Sequence, residues 1–202
     1  LQPLLGPTGP IGNNASFENN NGACATTGIL IGLIPKQYSP TTKLKWDIEK
    51  YDATTGEVIA WVKLPAAYTS SFTSYYLTYS NASITTYQGD SVNAYDSNYV
   101  GVWHLPNGTT LSALDSTVNA NNGTVGGSTT ATTGKIDGGA NFANSNITVS
   151  SSSSINLSGA FSFSVWASAN VLPPTATLAT IFHKLAGVDA GYELRINGTV
   201  SY

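Results

Sequence analysis

Short runs in which apolar and polar residues alternate, separated by Asn, Asp and Gly turns, recur along this chain and constrain its fold more than any other feature. In Leu44-Lys-Trp-Asp-Ile-Glu-Lys-Tyr51 the residues Leu44, Trp46 and Ile48 share one strand face and Lys45, Asp47 and Glu49 the other, predicting a core side and a solvated side. The loop Asp52–Gly56 and the return Val58–Leu64 complete a hairpin that Pro65 ends. Ser74–Tyr79 is a third, Tyr-rich strand, and a polar stretch follows to Asn98. Tyr99–Leu105 is apolar on both faces, as in a central strand. Phe161, Phe163 and Val165 form an inward row, with Ser162, Ser164 and Trp166 on the opposite one. Leu178–Leu185 and Tyr192–Ile196 continue the pattern, and Asn197-Gly198 signals a hairpin whose return arm begins at Thr199. No segment holds helical apolar spacing for more than about two turns. The expectation is an all-β protein.

Composition narrows the partners. Charged residues make up 9% of the 202, against roughly 25% in average soluble proteins, so hydroxyls and amides must solvate the surface. Eight basic against eleven acidic residues leave no basic patch for a phosphate backbone, which argues against nucleic acid. Cys24 is the only cysteine, so an internal disulfide is impossible. Seven Asn-x-Ser/Thr sequons, at Asn14, Asn81, Asn107, Asn122, Asn146, Asn156 and Asn197, are compatible with a glycoprotein, though about half would arise by chance in so Asn- and Thr-rich a chain. The start at Leu1, without an initiator Met or a leader, is expected of a processed or excised segment.

Residues 1–40 differ from the rest. Gly6-Pro-Thr-Gly9-Pro-Ile-Gly12 and an Asn-rich turn region predict an irregular, extended lead-in with one strand over 28–35. That apolar run is far shorter than the ~20 residues of a membrane span. Its residues Ile29, Leu30, Ile31, Leu33 and Ile34 suit an ordinary core strand, or a strand donated to another copy of the chain.

Trp61-Val-Lys-Leu-Pro65 and Tyr76-Leu-Thr-Tyr-Ser-Asn81 resemble a small domain of unknown function that often precedes laminin-G-like domains. Val100-Gly-Val-Trp-His-Leu105, Leu114-Asp-Ser-Thr117, Asn122-Gly-Thr124, Gly138-Gly-Ala-Asn-Phe142 and Phe161-Ser-Phe-Ser-Val-Trp166 occur in the order seen in the opening half of a laminin-G-like, concanavalin-A-like jelly roll. The resemblance implies a small β-rich domain at 41–98 followed by a partial antiparallel β-sandwich at 99–202. Domains of that superfamily mostly bind sugars, which implies an extracellular or cell-surface role. A loop of the Asp115 type often supplies a carboxylate to a structural Ca²⁺ there, although Asp115 also suits an Asx-turn.

Asp47 and Glu49, with Cα atoms about 6.5 to 7 Å apart on one strand face, have a separation at which paired carboxylates could serve glycoside hydrolysis, although a solvated strand face is the favoured explanation. His104 and His183 lack a second His or Cys at ligand spacing, and His104 is expected to satisfy a core hydrogen bond within its strand. Trp61, Trp166, Tyr75, Tyr79, Tyr95 and Tyr99 are candidates for stacking on sugar rings, although Trp103 and Trp166 would also serve as core plugs. The expected function is thus a non-catalytic carbohydrate-binding or adhesion module. A strand-exchanged assembly subunit and a polysaccharide-acting enzyme are the alternatives.

Overall fold

The computed structural model describes residues 3–5, 30–33, 42–52, 54–64, 75–78, 86–106, 110–171, 173–174, 178–185 and 191–197. Among the described residues strands dominate, accompanied by one four-residue α-helix and one 3-10 turn, Ser153–Ile155, so the chain is all-β. It divides into two compact units, Leu1–Ile155 and Asn156–Tyr202.

In the first unit β1 (Pro3–Leu5), β4 (Lys45–Asp52) and β5 (Glu57–Lys63) form an antiparallel sheet in the order β1-β5-β4. The predicted β4–β5 hairpin is present. Asp52 organises its turn by accepting from the main-chain N–H groups of Thr54 at 2.8 Å and Thr55 at 3.3 Å. Gly56 closes it with φ of 73°, a conformation that a Cβ would penalise. Leu44, Trp46, Ala60 and Val62 form the core of the unit, flanked by Ile48, Tyr51 and Val58. These are the apolar rows of the alternating pattern, and Trp46 is completely buried.

A second antiparallel sheet has the order β3-β2-β6, from β3 (Thr42–Lys43), β2 (Leu30–Leu33) and β6 (Tyr75–Thr78). Two-stranded pairs join β7 (Gly123–Val125) to β10 (Ile147–Val149) and β8 (Thr130–Thr133) to β9 (Gly138–Asn141). In the second unit the expected strands β11 (Leu178–Leu185) and β12 (Gly191–Asn197) are present and pair with each other. Its aromatic rings cluster: Phe163 meets Phe182 edge-on at 4.4 Å, and Phe161 lies 5.0 Å from Tyr192.

Four expectations need correction. Tyr99–Leu105 belongs to no strand. Its main chain is held instead by the loop that follows: Val102 N–H donates to the Asp115 carboxylate and Val102 C=O accepts from Ser116 N–H. Phe161–Val165 is likewise outside any ladder. The lead-in holds a strand besides the one expected over 28–35, since Pro3–Leu5 adds to β5 with Pro3 opposite Trp61. The division expected at residue 98 falls within the first unit, because Tyr95 and His104 are bonded to β4. The expected return arm at Thr199–Tyr202 lies outside the described residues.

Candidate functional site

In the polar row of β4 only Lys45 is solvated. Asp47 is only 6% exposed, because residues 95–104 cross over it. The short helix α1 (Ser91–Ala94) delivers that crossing: Asp90 N–H donates to Trp46 C=O at 2.9 Å, Asp90 caps Asn93, and Ala94 and Tyr95 are buried. Tyr95 OH donates to Asp47 Oδ2 at 3.1 Å, and His104 Nε2 reaches the same oxygen at 2.8 Å. His104 Nδ1 faces Glu49 Oε1 at 3.6 Å. Glu49 also accepts from Trp61 Nε1 at 2.5 Å.

A β-bulge makes this convergence possible. Ile48 pairs with Ala60 and Lys50 with Ile59, so Glu49 is the extra residue on β4. Such a bulge re-aims its side chain, and Glu49 turns toward the imidazole beside Asp47. One ring thereby meets two carboxylates.

Burial by itself would lower the His104 pKa, but the hydrogen bonds and charges of Asp47 and Glu49 outweigh it and push the imidazole up to about 9. Burial would raise Glu49, yet bonding to His104 and Trp61 holds its carboxyl below the ordinary range. Burial, followed by the Asp47 charge, raises the Tyr95 phenol strongly and the Tyr87 phenol to about 12. At neutral pH the cluster is therefore an imidazolium facing two carboxylates, with a protonated phenol beside it.

This arrangement does not suit glycoside hydrolysis. That chemistry needs a carboxyl that keeps its proton near the working pH, whereas Glu49 is shifted the other way and His104 already contacts both acids. The site is built to hold charge in place.

Asp115 sits in a second polar station. One of its oxygens accepts from Val102 N–H and Thr117 N–H, each at 2.9 Å, and the other from Thr117 Oγ1 at 2.9 Å and Asn121 N–H at 2.8 Å. Four protein donors thus occupy the carboxylate as an elaborated Asx-turn. Asn121, itself buried, extends the network by donating to Val100 C=O and accepting from Ser152 Oγ, while Trp103 Nε1 donates to its carbonyl. Among the described residues no group of three or more His, Cys, Asp or Glu is placed to hold a metal ion.

The stacking candidates separate. Tyr95, expected as an exposed ring, is 5% exposed and packs beside Tyr99 and His104, so it offers no face to a sugar. Trp61 and Tyr99 are half-buried. Trp166 is 71% exposed. Tyr79 and the side chain of Tyr75 lie outside the described residues. So do Ile29 and Ile34, whereas the backbone of Leu30, Ile31 and Leu33 is described in β2. That strand pairs along its length with β6 and, at Gly32 and Leu33, also with β3, within its own chain.

Sequence reasoning missed Tyr95 and His104 as partners of Asp47, which lie 48 and 57 residues away. The only available signal was a histidine in an otherwise apolar run opposite a strand rich in acids. An open cleft of about 490 Å³ lies between the β4–β5 and β8–β9 turns, where Lys50, Asp52, Lys135 and Asp137 nearly balance in charge. No protein family, curated protein or solved structure matches this chain significantly.

Proposed function

We propose that this chain is a non-catalytic carbohydrate-binding or adhesion module of an exported protein, and that it grips an uncharged glycan by stacking. The observation that carries this is the exposed aromatic surface of the second unit, with Trp166 at 71% and Phe161 and Phe163 at 43% and 49%. Leaving that much aromatic area in water is unfavourable by ~25 cal/mol per Å², so such rings earn their position by meeting something apolar and flat. Sugar rings offer such faces, and the surface around them carries little charge to select an ionic ligand. The short antiparallel sheets are of the kind from which a jelly-roll-like sandwich is assembled, in line with the laminin-G-like resemblance.

The test is affinity electrophoresis through gels containing neutral polysaccharides (β-glucan, xylan, mannan and chitin derivatives), with Trp166→Ala and Phe163→Ala beside the parent chain. Retardation by at least one polysaccharide, lost in Trp166→Ala with an unchanged far-UV spectrum, is expected. A parent chain retarded by none of them, or a Trp166→Ala protein retarded as strongly as the parent, overturns the proposal.

A further inference from the structure

The segment from Tyr95 to Leu105 has two kinds of attachment. On one side its main chain is tied to the Asp115 loop by uncharged donors and acceptors: Asn119 Nδ2 donates to Tyr99 C=O at 3.1 Å, Asn121 Nδ2 to Val100 C=O at 2.7 Å, and Ser116 N–H to Val102 C=O at 2.8 Å. On the other side it meets β4 through Tyr95, His104 and the two carboxylates. It takes part in no strand ladder. Leu105, directly after His104, has φ of 50°, a left-handed conformation that costs a branched side chain roughly 1 kcal/mol or more. The strap is therefore strained at the point where the charge contact holds it.

We propose that residues 95–105 form a pH-gated strap, locked onto β4 while His104 is protonated between Asp47 and Glu49 and released from it, with the β4–β5 hairpin intact, when that proton is lost. The groups that face the imidazole support this. From β4 they are Asp47 and Glu49; from β5, Trp61 donates to Glu49; from the strap itself, Tyr95, with Tyr99 packed behind it. Tyr87 lies toward Asp47 and keeps its proton up to about 12, and Lys45 is engaged with Asp90. Deprotonation thus leaves two nearly buried carboxylates beside a neutral ring. Their repulsion and desolvation then favour the open strap, in which water reaches them. Opening uncovers Asp47 and Glu49 on β4.

Limited proteolysis of the full chain with subtilisin across pH tests this, each rate being normalised to cleavage of a synthetic peptide of residues 95–105. Linkage requires opening to rise by roughly tenfold per pH unit above the ordinary histidine value of 6.5 and to level off near 9. Cleavage within 95–105 should follow that curve while cleavage in the β4–β5 hairpin stays slow. In His104→Gln the normalised rate should be high and flat with pH. In Glu49→Gln, which keeps the imidazole and removes one charge, the plateau should arrive at lower pH. A flat parent curve, a His104→Gln curve as steep as the parent's, an unmoved plateau in Glu49→Gln, or cleavage rising equally at all sites would each overturn the strap.

Discussion

Replacing Asp115 by Asn changes a single atom and should nonetheless be severe. The aspartate accepts four hydrogen bonds, two on each oxygen, and is 8% exposed. An amide keeps one oxygen. Turned one way, its NH₂ group faces the fixed donors Val102 N–H and Thr117 N–H; turned the other, it faces Asn121 N–H, while the Thr117 hydroxyl can rotate to accept. Hydrogen bonds to a charged acceptor are worth about 1.5 to 3 kcal/mol each, and a buried donor left unmatched costs a similar amount. The better orientation loses one bond, that of Asn121 N–H, for an expected destabilisation of about 1.5 to 3 kcal/mol, a substantial share of the roughly 5 to 15 kcal/mol that holds a domain folded. The assay is urea unfolding followed by the indole N–H resonance of Trp103, which donates to Asn121 C=O at 2.9 Å and so reports on this loop. A loss below about 1 kcal/mol would refute the reasoning. A chelator provides a second check: with four protein donors filling the carboxylate, the parent midpoint should not change in EDTA. A fall on chelation would show that an ion occupies a position assigned here to main-chain N–H groups.

Three further outcomes follow from the same geometry. His104 is raised from 6.5 to about 9, so its stabilisation is complete below pH 6.5 and disappears as pH rises through 9, a change of ~3 kcal/mol at most; Glu49 is lowered, so its contribution is present above its ordinary 4.5 and disappears as pH falls. Thermal melts of the parent should therefore be highest between about pH 4.5 and 6.5, and His104→Gln should lose the alkaline decline. Tyr95→Phe removes the hydroxyl that donates to Asp47 and should cost about 1 to 2 kcal/mol in urea unfolding; an equal or higher midpoint would show the bond to be dispensable. In Gly134→Ala the new Cβ would lie 1.8 Å from the Gly138 carbonyl oxygen, so loss of the Gly134 N–H bond to Asp137 C=O and of the β8–β9 amide protection is expected, whereas an unchanged exchange pattern would show that the turn can widen.

The sequence made local order legible. Alternation in 44–51 and 58–64 identified β4, β5 and the apolar row that became the core, because burying one face of a strand requires period two. The same rule failed at Tyr99–Leu105 and Phe161–Val165, which have the residue preferences of strands but lack a neighbouring ladder; Asp115 supplies by side chain the acceptor that a strand would have supplied to Val102. Period two also assigned Asp47 to solvent, since it distinguishes two faces without saying what covers the second. The bulge at Glu49 leaves no mark on the alternation, being defined by the partner strand as much as by its own residues. Asp115 was visible as a turn former, and its four donors were not, because Val102 reaches it from 13 residues away.

The pairing of Pro3–Leu5 with Ile59–Trp61 matters for handling the β4–β5 hairpin in isolation. A fragment starting near residue 41, where the alternating text begins, would lose β1 and leave one edge of β5 open along Ile59, Ala60 and Trp61. An uncovered edge of this kind, carrying no charge over those three residues, templates pairing with other chains. The first residues thus act as a guard rail against self-association, and trimming them should make a monomeric hairpin sticky.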